Sequence, residues 1–424
     1  MPIANLNERL SQWLRIALIN FFIAASAGAL LRFAFVREIP WLKYSYFLHT
    51  HSHMAMLGWI FLLLYILLLR SFLPRTYQRK SFYRYFFWIF QITVIGMLIS
   101  FPLQGYGPVS ITFTILNVLV TYVFTFYFWY DLTKTSKENS NSVRLAKTAL
   151  FFLGFSMLGV LAIGPVIAFH LDRTTSYYIA IHFYLHFQFN GWFIFSILAL
   201  FFRMSEEKGA SGSPVIFKRF YALIVAATFL TFALAVAWSN PGPVVFFSNS
   251  IGVILQLAAL ILFIALLTQL WVKLRRMIRM KLVSLLLKIA IAALILKILV
   301  QTAVVLPFVA EVAYTVRNYM IGFFHLLLLG VITIFGFAYA HLRGLLRLDT
   351  QIAHIGLFMF LFGFFMTEII LFLQGTLFWG GKGFLPYYYE LLFIFSVFLP
   401  GGILVLIISQ VKADQSRLHT PVLR

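Results

Sequence analysis

Long apolar runs recur along this chain, each about the length of one membrane crossing, and short polar stretches separate them. A hydrocarbon core about 30 Å thick takes about 20 helical residues. That template predicts helices near 14–35, 47–70, 82–103, 109–130, 146–170, 177–203, 215–238, 243–271, 282–308, 317–341, 352–376 and 386–411. The runs are continuous rather than alternating, and a bilayer admits only helices or closed barrels. The predicted fold class is therefore all-α, a polytopic membrane bundle of 12 transmembrane helices. No connection exceeds about 17 residues on a span length of this kind, so residues 1–424 read as a single integral membrane domain. The first run lacks a short apolar core followed by a cleavage site, and its helix is expected to be retained.

Composition agrees with the pattern. Hydrophobic residues make up 62% of the 424 and charged residues 11%, whereas soluble domains carry about 25% charged residues. The formal charge of +21 is spread over short clusters between spans, which marks topology and not a nucleic-acid partner. The N-terminal segment, the even-to-odd connections and the C-terminal segment hold 25 Lys and Arg; the other side holds Arg37, Lys43, Arg173, Arg317 and Lys382. Both termini are accordingly expected in the cytoplasm, with a bacterial inner membrane as the location and membrane lipid as the surroundings. With no cysteine, thiolate metal sites, iron–sulfur clusters and covalent heme attachment are excluded.

Histidine changes the picture further. His49, His51 and His53 fall at the outer mouth of the second span, and His170, His182, His186 and His325 fall in the same outer layer on the fifth, sixth and tenth. Seven of the ten histidines thus share one depth, while His341, His354 and His419 lie toward the cytoplasmic side. Imidazole inside a membrane is costly and is a common ligand for transition metals and heme iron. His49 and His53 share a helix face at i, i+4, as do His182 and His186, and His51 points the other way. An interhelical hydrogen bond is the ordinary alternative for any one of them. Other polar residues within spans are Lys297 and Glu368, whose similar depth suggests an ion pair or a proton-relay element, and Gln188 and Asn190, placed to hydrogen-bond histidine rings or to make ordinary interhelical contacts. Arg32, Arg317 and Lys382 lie near the outer ends of their spans, where a basic residue is ordinarily an interface anchor and could also meet an acidic group of a ligand. No internal repeat stands out along the chain.

Twelve helices with outer histidines on the second, sixth and tenth resemble the catalytic subunit (subunit I) of the heme–copper oxidase and nitric oxide reductase superfamily, across essentially the whole chain. The resemblance implies a b-type heme between a histidine of helix two and one of helix ten. His53 in HSHMAMLGW matches the first ligand, with His49 as runner-up, and His325 in FFHLLLLG matches the second. Arg32 would meet a propionate. His182 in HFYLHFQFNGW matches the helix-six copper ligand, with His186 four residues on. The family's paired copper histidines of helix seven are missing around Ala237-Trp238-Ser239-Asn240, and Phe323 stands where a high-spin heme ligand should be, which speaks against a copper centre. Electron transfer or redox and gas sensing is therefore the implied work, with cytochrome c or quinol as donor and further respiratory subunits as partners. An unorthodox oxidase or nitric oxide reductase is one alternative. A nitric-oxide-response protein of the NnrS type is another, and a heme-free transporter or assembly factor is a third.

Overall fold

The computed structural model describes residues 4–136, 140–169, 174–236, 243–277 and 280–419, and among them there are helices and no strand. Twelve helices are long and apolar enough to cross a membrane. They are α1 (Leu6–Phe33), α2 (Tyr44–Phe72), α3 (Ser81–Gln104), α4 (Pro108–Thr135), α5 (Asn141–Ile167), α6 (Thr175–Glu207), α7 (Pro214–Ala235), α8 (Pro243–Trp271), α9 (Lys281–Ala303), α10 (Arg317–Leu342), α11 (Gln351–Trp379) and α12 (Tyr388–Lys412). The polytopic all-α bundle expected from hydropathy is thus the observed architecture. An even number of crossings puts both ends of the described chain on one face, here called the terminal face.

Burial separates three helices from the rest. The most apolar windows of α2, α6 and α10 are 83%, 89% and 61% buried, against 28–50% in the other nine, so these three form the centre of the bundle. Each contains one wide π-helical stretch, at Met54–Phe61, Phe187–Phe193 and Leu326–Thr333, and each stretch begins directly after a histidine: His53, His186 and His325. Five residues past each histidine comes a glycine: Gly58, Gly191 and Gly330. A methyl group there would lie 3.0 Å from Asn20 Cβ, 2.5 Å from Phe152 Cβ and 3.2 Å from Ala293 Cβ, respectively, on α1, α5 and α9. Near the terminal face each central helix closes on an arginine: Arg70, Arg203 and Arg343. The chain is therefore three sets of four helices, the second of each set central, a repeat not evident from the sequence alone. It escapes notice because it consists of a few backbone-determined positions on otherwise interchangeable apolar helices.

The π-helical stretches widen the turn and strand backbone groups, which neighbouring side chains satisfy. Asn20 Nδ2 donates to the Gly58 carbonyl (3.0 Å) and to Gln91 Oε1 (2.9 Å). Trp59 Nε1 donates to Thr333 Oγ1 at 2.9 Å, tying α2 to α10 just below the histidines, and Phe21 stacks on the same indole at 4.7 Å. A Trp59→Phe protein is expected to lose about 1–2 kcal/mol of stability in detergent unfolding. Adding Thr333→Ala should then cost little more, since the two share one bond.

Candidate functional site

Above the π-helical stretches the central helices lose their close packing. Between Tyr44 and His53 only Thr50 is buried, between Thr175 and His186 only Ala180 and His186, and between Arg317 and His325 only Gly322. Of the histidines expected to form one layer, His49, His51, His53, His182, His186 and His325 lie in this looser third, away from the terminal face. They do not converge on one point; the twist of α2 sends them to different neighbours.

His51 lies against α1. Its Nδ1 is 2.8 Å from the Ala24 carbonyl, and the ring rests on Gly28, where a Cβ would come within 2.9 Å of His51 Cε1. His53 instead turns to α3. Its Nδ1 donates to the His49 carbonyl (2.9 Å), and its ring packs 4.5 Å from that of Phe101. His49 faces the same way, 4.5 Å from the Tyr106 ring. His51, not His53, is the residue of α2 within electrostatic range of His325 and Arg32. The pairing expected between His53 and His325, with His49 as substitute, is corrected on this point: a rotation of two residues along a helix is about 200°, which carries His53 away from α10.

His325 Nδ1 stands 3.6 Å from Glu368 Oε1 of α11, outside hydrogen-bond length. Arg32 of α1 lies within electrostatic range of both Glu368 and Tyr388, and Asn318 Nδ2 donates to the Tyr388 hydroxyl at 2.7 Å. Four buried polar atoms in this one place have no hydrogen-bond partner: His325 Nδ1, both carboxylate oxygens of Glu368, and Arg32 Nη1. Buried polar atoms are rarely left unpaired, and four together, without partners among the described residues, make this the candidate site. Arg317 and Lys382, the other expected propionate partners, are exposed.

Lys297 does not reach Glu368. It is 2% exposed on α9 and donates to Asn190 Oδ1 of α6 and to Gln301 Oε1 (2.6 Å). Asn190 Nδ2 in turn donates to His186 Nδ1 (3.3 Å), whose Nε2 donates to the Thr228 carbonyl (2.8 Å). The expected ion pair gives way to this amide network because α9 presents Lys297 to α6, while Glu368 on α11 faces α10. Asn190 does contact a histidine ring, as expected; Gln188 accepts from Ser156 Oγ (2.9 Å) instead. The network borders a cavity that Thr228, Thr231 and Gln256 also line.

For metal ligation by His182 and His186 the residues do not fit. Both ring nitrogens of His186 are engaged, and among the described residues no three His, Asp or Glu side chains come together as a metal would require. His170 and the helix-seven positions Ala237 to Asn240 lie outside the described residues.

A bis-imidazole heme fits better. In both His51 and His325 the Nδ1 faces an oxygen, a backbone carbonyl in one and a carboxylate in the other, so Nε2 would be the nitrogen free to ligate a heme. Arg32 would offer a cation to its propionates. The sequence signal for His51 was its odd position in the triple run, opposite His49 and His53. The sequence signal for Glu368 was a carboxylate inside a span, though it pointed to Lys297 and not to His325. No protein-family model and no curated protein matches this chain.

Proposed function

We propose that this is a heme-binding integral membrane protein in which His51 and His325 are the axial ligands of a b-type heme. Its work is electron transfer or redox and gas sensing. The carrying observation is the convergence of His51, His325, Glu368 and Arg32 from four helices around four unpartnered buried polar atoms.

Each residue has a definable task. The Ala24 carbonyl and Gly28 hold the His51 ring and its tautomer. Glu368 takes the Nδ1 proton of His325 as a hydrogen bond once the ring closes the 3.6 Å gap. Arg32 offsets carboxylate charge in a low-dielectric site. A heme held by His51 and His325 would supply one-electron redox chemistry, and with both imidazoles engaged it would favour outer-sphere transfer over substrate binding. The basic-residue asymmetry supports cytoplasmic termini in a bacterial inner membrane. The resemblance to oxidase subunit I supports a quinol or cytochrome c donor and neighbouring respiratory subunits.

A reduced-minus-oxidised absorption spectrum tests the assignment. Wild type expressed with ample heme is expected to show b-type bands, His53→Ala to keep them, and His51→Ala to lose the low-spin signature. A colourless wild type rejects heme altogether. Bands that survive in His51→Ala but vanish in His53→Ala return the ligand role to His53.

One observation favours a second function, a heme-free transporter: the three-fold repeat together with the Lys297 network beside its cavity. A colourless protein whose membrane flux of a small solute is abolished by Lys297→Met would select it.

A further inference from the structure

The terminal-face ends of the three central helices gather the three repeat-related arginines around one carboxylate. Arg203 Nε is 3.0 Å from Glu207 Oε1, and Arg343 Nη1 is 2.6 Å from Glu207 Oε2. Arg343 Nη2 also donates to the Tyr339 hydroxyl (2.5 Å), which hydrogen-bonds Ser71 Oγ (2.9 Å), while Arg203 Nε donates to the Ser71 carbonyl (3.0 Å). Both oxygens of Glu207 thus engage an arginine, and neither makes an ion pair with Arg70. The charged groups that Arg70 feels are Arg343, Arg75 and Glu207, and its Nε is buried without a hydrogen-bond partner.

Stability does not account for this arrangement. Partly exposed ion pairs contribute at most about 1 kcal/mol, and like charges brought together oppose it. Three guanidiniums against one carboxylate leave two positive charges uncompensated, with Arg75 nearby adding a third. Planar guanidinium forks match the oxygens of a phosphate group in pairs, and a phosphate monoester carries close to the missing two negative charges. Glu207 and Arg203 keep about a third of their side-chain surface exposed, so the cluster opens to the terminal face.

We infer that Arg70, Arg203 and Arg343 form a binding site for a phosphate group at the junction of α2, α6 and α10. Two sources share that chemistry: the headgroup of an anionic phospholipid and a soluble phosphate compound. The site does not depend on heme.

The test uses the full chain purified in detergent. One arm titrates delipidated protein with inorganic pyrophosphate by calorimetry; the other measures phosphatidylglycerol retained in native mass spectra. Saturable binding of one pyrophosphate per chain, weakened about tenfold or more in Arg70→Gln, supports the site with a soluble source. Retained phosphatidylglycerol that Arg70→Gln releases, without pyrophosphate binding, supports it with a lipid source. Arg70→Lys is expected to fall between wild type and Arg70→Gln in either arm, because it keeps the charge and loses the fork. Wild type that binds neither probe overturns the inference, as does an Arg70→Gln protein that elutes as a single species and binds as well as wild type.

Discussion

His325→Ala protein is expected to purify with at least about tenfold less heme than wild type, since loss of even an outer partner of a metal ligand costs 10–100-fold in affinity. What heme remains should be high-spin, because one axial position has no protein ligand. The structural effect is separable from the spectral one. Removing the ring leaves the two oxygens of Glu368, already without hydrogen-bond partners, with Arg32 as the remaining charged group in range. Glu368→Gln added to His325→Ala should therefore recover some thermal stability without recovering heme. Glu368→Gln alone should keep the heme and shift its potential, since the His325 Nδ1–H would then donate to a weaker acceptor. Heme-to-protein ratio and a redox titration read these outcomes. A His325→Ala protein with wild-type heme content and a low-spin spectrum would remove this residue from the site.

Gly402→Ala is expected to destabilise the fold by about 3 kcal/mol, at the upper end for a single added methyl group. The new Cβ would sit 2.5 Å from the Phe360 nitrogen and 2.6 Å from the Gly356 carbonyl oxygen, both backbone atoms of α11. A side chain could rotate away; a helix backbone cannot. The α11–α12 pair depends on this approach elsewhere as well, with Gly356 against Leu406 nitrogen and Gly363 against the Phe395 carbonyl. Such contacts are the main source of helix association where no water is expelled. Separating the pair would also displace Phe360, which is fully buried and packs edge-on against Phe21 and Phe337, and would move Glu368 relative to His325. Gly164→Ala is the control. Nothing lies within 4 Å of its Cβ position, so the change should be neutral or slightly stabilising. Equal unfolding midpoints for Gly402→Ala and Gly164→Ala in detergent would contradict the close packing.

Much of the candidate site was legible in part. Arg32 and His325 are both marked in the sequence, by depth and by the family resemblance, and Arg32 lies within electrostatic range of His325. The sequence favours His53, with His49 as runner-up, by its depth in the run and by the family match, and depth alone says nothing about azimuth. On α2 that azimuth decides between α1 with its Gly28 seat and α3 with Phe101. Lys297 and Glu368 illustrate the same limit. Their depths match, yet each faces a different neighbour, so one heads an amide network and the other faces a histidine.

The sequence by itself determined the number, order and length of the helices, because the cost of unpaired backbone in hydrocarbon leaves continuous apolar runs few other forms. It also determined how far along its helix each polar residue of a span lies, since that follows from rise per residue. Only the tertiary structure decided which helices are central and which faces meet. A helix that is apolar almost all the way round has no polar stripe to orient it, and its rotation is set by glycine contacts and a few hydrogen bonds to helices far away in the chain. His51, Glu368 and the three arginines around Glu207 became visible as sites only after those rotations were fixed.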